Sequence, residues 1–127
     1  RRPDGSLYEY QPDKIVLGSR PLPRNYHLFE TGFIQVDTLD ELLQLPYNDI
    51  LVEGGPGVLS TLFSHDLVDT IHSYVAPAVL GAGIPLISQG WGTSMEDIKR
   101  FSRTDTINLD DDVLIVLERH ATCLQGL

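Results

Sequence analysis

Residues 50–63 read ILVEGGPGVLSTLF. An apolar, strand-like run meets two adjacent glycines, then a proline, a third glycine and apolar residues at helical spacing. The run Asp49–Glu53 predicts a buried strand, and residues 56–67 predict the helix that follows it. Pro56 suits a first helical position, because its missing amide hydrogen would have had no intrahelical partner there. Val58, Leu59, Leu62 and Phe63 form the apolar face of this helix. In a parallel sheet, ligands sit beyond the carboxyl ends of the strands, and Gly54 and Gly55 stand at such an end. Backbone without Cβ atoms lets a ligand approach closely. The free amides of the helix start would face the same spot, so a phosphate or pyrophosphate could be held without a lysine. Gly57 lengthens the bare surface by one residue. A plain tight turn between strand and helix explains the same residues, and both readings stay open on the residues alone. The spacing is neither G-x-G-x-x-G nor a P-loop, which needs G-K-[ST].

Around this junction the chain reads as an α/β protein. Lys14–Ser19 predicts a short strand ending in a glycine turn, and the prolines of RPLPRN a rigid loop. Residues 32–36 predict a second strand. Residues 37–45 predict a helix capped by Asp37 or Thr38 and stopped by Pro46. VDTIHSYVAPAVLG, residues 68–81, predicts a longer strand bent near Pro77, and a loop runs from there to about residue 94. The stretch from Ile98 to His120 predicts two antiparallel strands turning at Asn108–Asp111, with 113–118 central in the sheet. The expected architecture is one domain over residues 1–127. Its mixed sheet is mostly parallel and ends in an antiparallel hairpin, with helices on both faces.

The 127 residues suit one domain, and a hydrophobic fraction of 42% argues for a folded chain. Acidic residues outnumber basic ones 18 to 9, a formal charge of −9. That disfavours nucleic acid or an anionic membrane as a partner, since both need a basic footprint. No apolar run reaches the roughly 20 residues that cross a bilayer. Cys123 has no second cysteine to pair with, which fits a reducing compartment, and a cytoplasmic location is expected. The four histidines lack metal-ligand spacing. Asp110–Asp112 resemble a calcium loop only superficially, and a solvated turn accounts for them. Trp91 reads as a packing residue or a ligand cover.

LVEGGPGVLSTLFSHDLVDTIHSYVAPAVLGAGIPL, spanning residues 51–86, resembles the reductase domain of riboflavin biosynthesis. That family consists of pyrimidine reductases with the dihydrofolate-reductase-like fold. IVLGSRPLP is similar to the family's segment at the edge of the cofactor site, and a weaker likeness runs from residue 14 to the end. The resemblance implies that NADPH reduces the ribosyl group of an aminopyrimidine ribosylamino phosphate to the ribityl form. It implies that Gly54 and Gly55, in such enzymes often joined by a cis peptide, meet the cofactor's phosphates. Pro56, Gly57, Val58 and Leu59 would supply the start of the helix. Ser19 and Arg20 would meet the adenosine side, with the Arg20 fork suited to a 2′-phosphate. Glu53 would bond the substrate's ribose or ribityl hydroxyls; its rival role is structural, accepting hydrogen bonds from nearby amides. No catalytic side chain or metal ligand is assigned.

The family's reductase domain is longer, and the chain is expected to be incomplete at its N-terminus, lacking a first strand and an early glycine-rich loop. Two other functions therefore stand beside the reductase. One is a non-catalytic ligand-binding or pairing domain on the same scaffold. The other is a related oxidoreductase with a different substrate. A flavodoxin-like nucleotide binder is poorly supported by the antiparallel ending. Family members commonly pair, and SYVAPAVLGAGIPL is the expected homodimer surface.

Overall fold

The computed structural model describes residues 2–88, 92 and 94–120; Trp91 and Cys123 lie outside the described residues. The chain divides into two compact units, residues 1–51 and 52–127.

In the first unit, β1 (Ile15–Leu17) pairs in parallel with β2 (Ile34–Val36), with Val16 opposite Gln35. The connection carries α1 (Leu28–Thr31), a single helical turn. Its sequence has no apolar periodicity, which is why pattern reading passes over it; Phe29 and Phe33 meet edge to face, with centroids 5.2 Å apart. The helix α2 (Leu39–Leu43) follows β2. Thr38 caps it by accepting the Glu41 amide at 3.2 Å, and the Glu41 carboxylate accepts the Asp37 amide at 2.7 Å. This is close to a capping box, displaced by one residue at its return bond. Val36 and Leu42 are the buried apolar residues of this unit. The Tyr47 hydroxyl donates to Asp13 at 2.7 Å, and that bond holds the phenol above its usual range.

In the second unit, α3 (Pro56–Ser64) precedes a three-stranded antiparallel sheet of order β3-β5-β4. Its strands are β3 (Thr70–Val75), β4 (Phe101–Leu109) and β5 (Asp112–Arg119), with a 3₁₀ turn at Met95–Asp97 before β4. The apolar run of β5 is paired on both sides, from Val75↔Val113 to Thr70↔Glu118 and from Leu109↔Asp112 to Phe101↔Arg119. A register shift between Arg103 and Asp105 marks a bulge in β4. Asp110 turns the β4–β5 connection at φ 55°, a left-handed conformation that aspartate tolerates. Leu62, Phe63 and Leu114 form the buried core. Phe63 meets Phe101 edge to face at 6.1 Å, which fastens α3 to β4.

Four expectations change. Residues 49–53 form no ladder: Asp49–Glu53 is not a strand here, and Leu51 is 81% exposed. An apolar run reports a preference for burial and extension, whereas a strand also needs a neighbour for its amides and carbonyls. With that run unpaired, one strand pair is parallel and two are antiparallel, so the described sheets are not mostly parallel. The strand expected to reach residue 81 stops at Val75, where its register with β5 runs out and two residues before a proline that cannot donate. The helix expected to reach residue 67 ends at Ser64. There the Leu67 amide donates to the Leu62 carbonyl at 3.0 Å and the Asp66 amide to the Phe63 carbonyl at 3.2 Å, with Asp66 at φ 57°. That is a Schellman closure with aspartate where glycine is usual, so the stop carries no glycine signal in the sequence.

Phe63→Ala should lower stability by about 3 kcal/mol, because the buried ring leaves a cavity against Phe101. Urea denaturation of the purified chain measures this, and a loss below about 1 kcal/mol would show that the ring does not anchor α3.

Candidate functional site: the uncapped start of α3

The helix α3 begins differently from α2. Its N-cap is Gly55, at φ −77° and ψ 179°, and no side chain caps it. Its first turn holds no acid, whereas that of α2 holds Asp40 and Glu41. Pro56 has no amide hydrogen, and the Leu59 amide donates to the Gly55 carbonyl at 3.1 Å. The amides of Gly57 and Val58 have no partner among the described residues. Two adjacent donors thus stand at the positive end of a nine-residue helix.

The three glycines have different surroundings. A Cβ on Gly54 would lie 2.9 Å from Val58 Cβ and 3.0 Å from Val58 Cγ1. Gly54 is therefore required by the packing of the junction itself. A Cβ on Gly55 or on Gly57 would meet nothing within 4 Å. The space beside those two residues is open. Every described peptide bond is trans, including that between Gly54 and Gly55. The cis bond implied by the resemblance is absent: Gly55 takes ordinary N-cap dihedrals, which a trans bond satisfies at lower cost.

Ser60 braces this first turn. Its hydroxyl donates to the Pro56 carbonyl at 2.6 Å and accepts the Ser88 amide at 2.9 Å. The two serine hydroxyls lie 2.7 Å apart. Sequence reading missed this pair; the only available signal was a hydroxyl residue four positions after Pro56, and serine at that position is common enough to carry no weight. At the other end of α3, Arg119 on β5 donates to the Val68 carbonyl through Nε at 2.9 Å and Nη2 at 2.7 Å, and to the Asp66 carbonyl. Lys99 bonds Asp66 at 2.7 Å and holds that carboxyl below its usual range. These cations fix the chain as it leaves the helix.

Glu53 is exposed, and no hydrogen bond or ion pair reaches it among the described residues. The rival role, a carboxylate satisfied by nearby amides, thus finds no partner here. Ser19 and Arg20 lie in the first unit, exposed on the bend after β1. Gly18 opens that bend at φ 136° and donates its amide to the Val36 carbonyl at 2.8 Å. A cavity of about 470 Å³ in the first unit is bordered by Leu7, Lys14, Tyr26 and Leu28, and none of the sequence-predicted site residues lines it. Among the described residues no three histidine, cysteine, aspartate or glutamate side chains group as metal ligands. No helix among them is long and apolar enough to cross a membrane.

Helices combined with parallel and antiparallel strands define a mixed α/β protein, consistent with the dihydrofolate-reductase-like fold. The family model of the RibD C-terminal domain matches residues 1–115, and the chain belongs to that family, the reductase-type domain of riboflavin biosynthesis proteins. It is 38% identical over 96 residues to the riboflavin biosynthesis protein RibD of Corynebacterium ammoniagenes, covering 69% of this chain and 28% of that protein. It is 26% identical over 123 residues to RibD of Mycobacterium tuberculosis, covering 92% of this chain and 36% of that one. The structure is similar to Acinetobacter baumannii RibD, form 2, with a TM-score of 0.66 and 26% identity, over 90% of this chain and 41% of that one. The chain thus spans about a third of the length of these curated relatives.

Gly54→Ala should destabilise the fold by about 1–3 kcal/mol, because the new methyl is driven into Val58 near its backbone. Gly55→Ala should leave stability within about 0.5 kcal/mol of the parent. Thermal unfolding of the two variants compares them, and a reversed order would show that the junction is not packed as described.

Proposed function

We propose that this chain is the cofactor-binding part of an NADPH-dependent reductase, acting on an aminopyrimidine ribosylamino phosphate in riboflavin biosynthesis. One observation carries the reading: in a RibD-family chain, the amides of Gly57 and Val58 are free beside open backbone at Gly55 and Gly57. Neutral amide donors suit a phosphate in a chain of net charge −9, since they supply no charge that the acidic surface would already have paired. Gly54, Gly55, Pro56, Gly57, Val58 and Leu59 would hold the cofactor's phosphates. Ser19 and Arg20 would meet the adenosine side, and Glu53 would accept hydrogen bonds from the substrate's sugar hydroxyls. When bound, NADPH would supply the hydride that turns the imine-like C1 of the ribosyl group into the ribityl carbon, with a proton taken up at the attached nitrogen. The chain's own residues bind and orient, and no protein nucleophile is required.

Residues 1–127 would form a single reductase-like domain, and the protein would act as a cytoplasmic homodimer. Val79, Leu80 and Ile84, almost wholly exposed on the segment after β3, support a pairing surface.

Gly55→Ala should weaken NADPH binding tenfold or more while the fold survives, as read by titration of nicotinamide fluorescence. Unchanged affinity in the folded variant would exclude phosphate contact at this backbone. Arg20→Ala should weaken NADPH more than NADH, and equal losses would show that Arg20 does not read the 2′-phosphate. A folded chain that binds neither nucleotide would favour the non-catalytic scaffold.

A further inference from the structure

The bend that carries Ser19 and Arg20 is held by a residue outside it. Gln35, the middle residue of β2, sits opposite Val16 in the parallel register. Its side-chain nitrogen donates to the Gly18 carbonyl at 2.5 Å and to the Arg20 carbonyl at 3.1 Å. A primary amide has two N–H donors, enough to serve both carbonyls. The two carbonyls bracket Ser19. Together with the Gly18 amide bond to Val36, they hold the Leu17–Gly18, Gly18–Ser19 and Arg20–Pro21 peptide planes, which flank the Ser19–Arg20 step from which the Arg20 side chain leaves the backbone.

An exposed arginine ordinarily samples many rotamers, so its preference for one phosphate over another depends on how well its origin is fixed. We infer that Gln35 is a positioning residue for nucleotide selectivity: by clamping the Gly18 and Arg20 carbonyls, it holds the Ser19–Arg20 bend in the form that distinguishes a 2′-phosphate from a 2′-hydroxyl. The inference rests on the assignment of Ser19 and Arg20 to the adenosine side. Gln35 itself would touch no ligand. Three properties of its side chain are used, its length, its neutrality and its pair of donors. Methionine keeps the first two and removes the donors. Glutamate keeps the length and places acceptor oxygens against the two carbonyls.

The test measures dissociation constants for NADPH and NADH with the full chain, in the parent and in Gln35→Met, Gln35→Glu, Arg20→Ala and the double variant Arg20→Ala/Gln35→Met. The NADPH-to-NADH ratio is taken on a single preparation, so any unfolded fraction cancels. The expected result is a preference for NADPH in the parent that falls at least fivefold in both Gln35 variants. The double variant should show no further fall below Arg20→Ala, because the two residues act through one contact. If Arg20→Ala abolishes the preference and both Gln35 variants retain it, the clamp is irrelevant and the inference fails while the cofactor reading stands. If Arg20→Ala leaves the preference intact, or the parent has none, the assignment beneath the inference fails with it. Equal weakening of both nucleotides in the Gln35 variants would mark Gln35 as merely structural and also overturn it.

Discussion

The double pairing of β5 is the constraint on which the second unit depends. Its residues meet β3 on one edge and β4 on the other, so the most apolar strand of the chain leaves no backbone edge unpaired along most of its length. Leu114 on this strand joins the core formed with Leu62 and Phe63. Arg119 at its end donates to the carbonyls that follow α3, and its own amide donates to Asp69 at 2.8 Å. The exit of the helix is thereby tied to the central strand. A nine-residue helix has little stability of its own in water, so this tie and the Phe63–Phe101 contact hold it in place.

With its C-terminal end closed by a Schellman motif and two cations, α3 has its first turn left open. The contrast with α2 is chemical. There a threonine and a glutamate fill the positions that would satisfy the first amides, and two acids favour the positive end of the dipole. In α3, Gly55 stands at the cap and Val58 at the third helical position, and neither side chain supplies an acceptor. The same protein thus builds one helix with a side-chain cap and another with none. The glycines differ in their surroundings: Gly54 makes room for Val58, and Gly55 and Gly57 border open space.

Much of the fold was legible because local rules and tertiary context agree. The positions of β1, β2, α2 and β5, though not their exact ends, follow from apolar pattern and caps, and Pro56 marks the start of α3 correctly. Other features were not legible. Residues 49–53 carry a convincing strand pattern and form no ladder, because pairing is a property of two segments and pattern belongs to one. The end of α3 falls at an aspartate in the left-handed region, which no glycine announces. The brace between Ser60 and Ser88 and the clamp of Gln35 on Gly18 and Arg20 join residues 28 and 15 or more positions apart, beyond the reach of any local signal.

By itself the sequence determined the family, the glycine-rich junction, the acidic balance that disfavours polyanions, and the order of most elements. Each of these is either a local pattern or a composition. The tertiary structure decided which amides at that junction are free, which glycine is needed for packing, and which side chain holds the bend after β1. Those depend on where distant segments place their donors and acceptors, and hydrogen-bond satisfaction is settled only when the chain is folded.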